Sequence, residues 1–191
     1  MRRPIFTRLL PAVLAGAGVS WAACAEASPA AAAMVDLAGL VRHPLDPAPK
    51  TGSVLVFYAQ DCPACNGYAP EINRLAATHT NFAFHIVQVD PELTPAAARA
   101  HARKYDLHPP VLLDPGHLLV KAASATVTPE AVVFDRSGAV VYRGRIDNAY
   151  ASLGRHRAVV TEHDLAAVLT ALEAHQPPPT RETEPVGCLI P

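Results

Sequence analysis

"SVLVFYAQDCPACNGYAP", residues 53–70, runs from an uncharged apolar segment into two cysteines two residues apart. Val, Leu, Phe and Tyr fill positions 54–58, which reads as a strand covered on both faces. A helix is expected from Cys62, with Tyr68, Ile72 and Leu75 on its inner face and Pro70 kinking it. The pair Cys62 and Cys65 can then bind a metal, staple the fold or exchange electrons. A cysteine in the first turn of a helix sits at the positive end of the helix dipole, where a thiolate is stabilised and becomes a nucleophile. A second cysteine one turn on can reach back and close a small disulfide, a geometry that suits reversible exchange. A bridge of two residues constrains the unfolded chain little, which weighs against a mere staple. Structural zinc takes four ligands, and no His falls in a ligand pattern, so no metal ligands are assigned. His101 and His108 read as solvated.

Working outward, "FAFHIVQVD", residues 82–90, is a second strand. Residues 94–105 form a helix with Thr94 as N-cap and Pro95 in first position. Residues 110–114 are a short extended piece and 116–123 one or two helical turns. Residues 130–144 are two strands around an Asp135–Gly138 turn. Residues 161–175 are a helix in which Thr161 and Asp164 suggest a capping box and Leu165, Val168, Leu169 and Leu172 an apolar stripe. Strand–helix alternation followed by a hairpin predicts an α/β fold: a central mixed sheet flanked by helices, with an antiparallel hairpin and a closing helix. Residues 28–50 read as a linker with a short helix near Met34–Val41. Residues 51–175 form the domain. Residues 176–191 are a Pro-rich tail without regular structure, carrying Cys188. In "YRGRIDN", Arg143, Arg145 and Asp147 read as solvated charges or a structural ion pair.

The N-terminus reads as a secretory signal peptide over residues 1–27. Arg2, Arg3 and Arg8 precede an apolar stretch from Leu9 to Ala23, and "AEA", 25–27, offers a cleavage site. The stretch is short for a membrane span, which takes about 20 residues, so an uncleaved anchor is the alternative. Cys24 raises a lipoprotein alternative, against which Trp21 argues. The expected location is exported and periplasmic. Without residues 1–27 the chain carries 13 basic and 16 acidic side chains, a net charge of −3, with no basic cluster. That excludes nucleic acid, and membrane contact is left to the N-terminal segment alone. Exported cysteines meet an oxidising compartment. With Cys24 removed, three remain, so at least one is free, intermolecular or shared between alternative bridges. Cys188 is a tail thiol, a tether to another chain, or a bridge back to Cys62 or Cys65.

"VLVFYAQDCPAC", Pro70 eight residues after Cys62, and "VTPEAVVFDRSGAVVYRGRID" together resemble the thioredoxin superfamily. They are most similar to its exported redoxin branch, the TlpA-like and peroxiredoxin-like (AhpC/TSA-related) thiol–disulfide oxidoreductases. The resemblance covers roughly residues 50–175. It implies a thioredoxin fold, a redox-active Cys62–Cys65 disulfide in place of any small cofactor, Cys62 as attacking thiolate and Cys65 as resolving thiol. It implies a cis Pro129, and a partner groove shaped by Pro63, Ala64, Thr128 and Pro129, with Cys188 as a candidate extra redox thiol. The implied partners are protein thiols and disulfides, among them a membrane electron donor or a maturation client. Two departures stand out. Thioredoxin's buried acid six residues before the first cysteine is Val56 here. Asp61, directly before Cys62, replaces a frequent aromatic and is expected to raise the Cys62 pKa.

Two other classes compete. A thiol peroxidase of the same fold carries a Thr three residues before its reactive cysteine, and Ala59 stands at that position. A copper-delivery module of this fold would use a wider cysteine spacing plus one His, and a non-catalytic interaction module would keep its function when Cys62 is replaced by Ser.

Overall fold

The computed structural model describes residues 33–190. The expected signal peptide and Cys24 lie outside the described residues. Five strands form the central sheet in the order β5-β4-β3-β7-β8: β3 (Gly52–Tyr58), β4 (Phe82–Gln88), β5 (Val111–Leu113), β7 (Glu130–Asp135) and β8 (Val140–Gly144). The strands β3, β4 and β5 pair in parallel, whereas β7 lies antiparallel to both β3 and β8. The mixed α/β sheet expected from the strand–helix order is therefore present, with β3, the strand that leads to the cysteines, at its centre.

Period-two alternation along the strands divides the core between the two faces. Val54, Val56 and Tyr58 of β3, with Phe84 and Ile86 of β4 and Val133 of β7, face one cluster. That cluster includes Tyr68, Ile72 and Leu75 of α1 (Pro63–Thr78) and Leu165, Val168 and Leu169 of α4 (Asp164–Glu173). Leu55, Phe57, Val87 and Val132 face the other, against Leu119, Val120 and Ala123 of α3 (Leu118–Ala123). The carboxylate of buried Asp114 accepts from the N–H groups of Leu118, Leu119 and Val120, which satisfies the start of α3. Helix α2 (Pro95–Lys104) is capped by Thr94, whose side chain accepts from Ala97 N–H.

Three expectations are corrected. Residues 34–42 are not a helix in a linker: β1 (Met34–Val35) and β2 (Val41–Arg42) form an antiparallel hairpin. Its buried Asp36 bridges to Leu112 and takes hydrogen bonds from Ala38 N–H, Leu40 N–H and Arg42. Leu45 is buried in the second cluster. Helix α4 starts at Asp164 without a capping box. Thr161 is instead held by Asn148, which donates to its hydroxyl and accepts from its N–H, while Asp164 pairs with Arg145. The tail is not irregular: β11 (Cys188–Leu189) pairs antiparallel with β6 (Val127–Thr128). A further small hairpin, β9 (Tyr150–Ser152) and β10 (Arg155–His156), precedes α4.

Candidate active site

Cys62 is the N-cap of α1, with extended backbone at φ −84° and ψ 113°, and Pro63 is the first helical residue. Proline there has its φ preset and no N–H to lose. The helix carries Cys65 one turn on, beside Cys62. Both are buried, Cys62 with 2% and Cys65 with 0% of its surface exposed. Directly against Cys62 lies the Thr128–Pro129 segment, whose peptide bond is cis. Cys62 Sγ lies 3.2 Å from the Thr128 carbonyl oxygen, a bond it can donate only when protonated.

Cys188 lies at the same point. Its Sγ donates to Cys62 Sγ at 2.7 Å, and all three cysteines carry free thiols. The groove expected from Pro63, Ala64, Thr128 and Pro129 is not an open surface. Pro63 is exposed, but Ala64 is packed in the core, and Thr128 and Pro129 are buried with the tail against them.

The electrostatics separate the thiols. Cys62 is pulled down to about 4, chiefly by the hydrogen bond from Cys65 and then, against the cost of burial, by that from Cys188. Burial pushes the Cys65 thiol well up, and donation to Cys62 pushes it further. Burial, followed by its own bond to Cys62, raises Cys188 to about 11. One sulfur is thus the stable thiolate and two are proton holders beside it. The opposition expected from Asp61 does not prevail: that side chain is exposed, and Cys62 is lowered.

Further neighbours complete the site, and of these Tyr58's and Asn66's roles escape a reading of the sequence. Val56 is buried, and no carboxylate replaces thioredoxin's acid at its position. Tyr58, two residues on, is kept protonated by burial, with Cys65 adding to the effect. Its hydroxyl donates to Asn66 Oδ1, which also receives His101 Nε2 at 2.9 Å. His101, expected in solvent, is buried between Tyr58 and Tyr105, and burial lowers its pKa. His108 is exposed.

Buried Glu130 accepts from Thr126 N–H at 2.8 Å and so fixes the segment that meets Cys62. Arg143 pairs with Glu182 of the tail and Arg145 with Asp164 and Glu162. Asp147 is not part of an ion pair. It is buried and accepts from the Tyr68 hydroxyl at 2.6 Å, tying α1 to the loop after β8. Among the described residues, Glu71, Asp147 and His163 offer ligand atoms within 4.8 Å of one another. Both acids are already engaged, Glu71 by Arg74 and Asp147 by Tyr68 and Ala149 N–H.

A mixed sheet that carries a Cys-x-x-Cys pair at a helix start, opposite a Thr-Pro segment, defines a thiol protein of the thioredoxin fold. Residues 43–143 match the AhpC/TSA family, and the chain belongs to it. It is 27% identical over 90 residues to the thiol-disulfide oxidoreductase ResA of Bacillus thuringiensis subsp. konkukian (strain 97-27), covering 47% of this chain and 52% of that one. The chain thus spans about half the length of the curated relatives it matches. A conserved protein of Geobacillus kaustophilus superposes with a TM-score of 0.72 at 27% identity, over 83% of this chain and 86% of that one. A secreted Mycobacterium tuberculosis disulfide oxidoreductase homologous to E. coli DsbE shares the fold. Its TM-score is 0.55 at 18% identity, over 75% of this chain and 97% of the other.

Proposed function

We propose that this protein is an exported thiol–disulfide oxidoreductase in which Cys62 attacks and Cys65 resolves. The observation that carries this is geometric: Cys62 caps the start of α1 with Cys65 one turn on, both buried, and Cys62 against the Thr128–Pro129 segment, an arrangement with which the lowered Cys62 and raised Cys65 thiols agree. The Cys62 thiolate attacks one sulfur of a partner disulfide, forms a mixed disulfide and expels the partner's other sulfur as a thiolate. Cys65 then gives up its proton, attacks the Cys62 sulfur, closes the Cys62–Cys65 bridge and releases the second partner thiol. The partner gains two electrons, one proton from Cys65 and one from solvent on the thiolate expelled first, and the bridge is reopened by a dithiol donor in the reverse sequence. The redox-active disulfide serves in place of a cofactor.

The ResA likeness supports protein disulfides as the substrate class. A membrane electron donor or a maturation client is the partner we infer. Direction follows from the potential relative to the compartment. The N-terminal sequence supports export. Among the described residues no helix is long and apolar enough to cross a membrane.

The test is dithiothreitol-driven reduction of insulin disulfides, with hydrogen peroxide consumption measured in parallel. Catalysed insulin reduction that Cys62→Ser abolishes is expected. Peroxide turnover without disulfide exchange would replace this reading with the peroxidase one.

A further inference from the structure

The tail is bound as an extended peptide along the segment that meets the nucleophile. Cys188 pairs with Thr128 and Leu189 with Val127 in antiparallel register, and Ile190 N–H donates to Thr126 O at 3.0 Å. Upstream, Arg143 N–H donates to Arg181 O and Thr183 N–H to Arg143 O. The Thr183 hydroxyl also meets Tyr142 Oη at 2.7 Å and accepts from Arg145 N–H. Two separate anchors therefore fix the tail and aim Cys188 at Cys62. Gly187 is needed for this approach, because a Cβ there would run into the Thr128 carbonyl. Strand addition at an exposed edge is a general way to bind an extended segment, with main-chain bonds giving affinity and side-chain positions giving selection.

We propose that residues 181–190 are a tethered substitute for the partner: Cys188 forms a reversible disulfide with Cys62 and caps it until the cysteine thiolate of a partner segment attacks the Cys62 sulfur, the Cys62–Cys188 bond breaks, and Cys188 leaves with the tail and takes up a proton. This rests on the exchange reading above and adds its regulation and its substrate class. The displacing segment is extended, bears a cysteine and has glycine or another small residue just before it, as the tail does. The cap forms when the Cys62 thiolate attacks a disulfide oxidant such as glutathione disulfide and expels one glutathione thiolate. Cys188 then attacks the Cys62 sulfur, the Cys62–Cys188 bond forms and the second glutathione leaves as thiol. Passage to the Cys62–Cys65 bridge is internal exchange. Cys65 loses its proton and attacks Cys62, and Cys188 leaves and takes up a proton, with no net change in oxidation.

The test equilibrates the full chain, Cys65→Ser and Cys65→Ser/Gly187→Val in glutathione redox buffers, then acid-quenches, alkylates and maps the disulfides by mass. In Cys65→Ser the expected main product is intrachain Cys62–Cys188. Adding Gly187→Val should cut its yield at least about tenfold and leave Cys62 glutathionylated, because the mixed disulfide loses its local resolving thiol. The unsubstituted chain, quenched early after mixing with glutathione disulfide, should carry the same Cys62–Cys188 bridge as a transient, independent of how the variants fold. Cys188 alkylated throughout, Cys188 linked only between chains, or a bridge yield indifferent to Gly187→Val each overturns the proposal. If the unsubstituted chain still forms Cys62–Cys65, only the tail's role falls; if it does not, the exchange reading falls as well.

Discussion

Cys188 Sγ stands 2.7 Å from Cys62 Sγ across 126 residues of chain. The contact brings a third thiol to a pair that would otherwise divide the proton between two. It also explains why a nucleophile at a helix start has almost no exposed surface: the tail strand lies over the Thr128–Pro129 segment against which Cys62 packs.

Removing either of the paired thiols should have different consequences. Cys62→Ser is expected to lower insulin reduction by more than about 10³-fold, the order lost with a nucleophile. Cys65→Ser combined with Cys188→Ala, which removes both resolving thiols, should still accept a partner but stall as a mixed disulfide visible on a non-reducing gel. Equal, complete inactivity of both without trapped adducts would contradict the assigned order of attack.

The pH profile of Cys62 alkylation reads its ionisation. Because its thiol is held down at about 4, the thiolate is present throughout pH 6–8, and reactivity falls only as pH drops through that value. A thiol near the ordinary value of about 8.5 would instead gain reactivity up to pH 9. Cys188→Ala removes a donor to the thiolate. Such a bond is worth about 1.5–3 kcal/mol, so the midpoint should rise by about one pH unit or more. A profile unmoved by Cys188→Ala would show that the tail thiol does not stabilise the charge.

Tyr68→Phe should destabilise the fold by about 1–3 kcal/mol, because it leaves buried Asp147 without its hydroxyl donor. Urea denaturation gives the figure. A change below about 0.5 kcal/mol, the scale of an ordinary surface substitution, would mean that this tie between α1 and the loop after β8 contributes nothing.

Gly144 has φ +150°, and any side chain there would collide with Thr183 of the tail. Gly144→Ala is expected to cost about 1–3 kcal/mol, the order for a strained backbone position. It should also speed proteolysis after Arg181. Unchanged stability together with unchanged cleavage would show the upstream anchor to be dispensable.

The sheet, the helix after the cysteines and the hairpin after Pro129 are legible in the sequence, because runs such as Val54–Tyr58 and Glu130–Asp135 carry dense apolar patterns and bounded turns. The adjacency of Cys62 and Cys65 follows from their spacing on one helical turn. The pairing of Cys188–Leu189 is not legible: it is two residues long, follows Pro177, Pro178 and Pro179, and draws on main-chain bonds that any sequence could make. Residues 34–42 escape for a similar reason, since their hairpin is held by one buried carboxylate, Asp36, rather than by a pattern. His101 looks solvated in a polar, Ala-rich helix, and only the tertiary placement of Asn66 and Tyr58 buries it. Thr161 and Asp164 have the spacing of a cap, but Asn148 and Arg145 take them instead.

The most direct measurement is a redox titration of the full chain, with thiols trapped and mapped by mass at each potential. A reversible two-electron transition is expected, mainly between free thiols and a Cys62–Cys65 bridge, with a midpoint in the range of about −270 to −120 mV spanned by exchange proteins. Cys65 alkylated at every potential, or no disulfide of Cys62 at any, would contradict a thiol–disulfide exchange site at the start of α1.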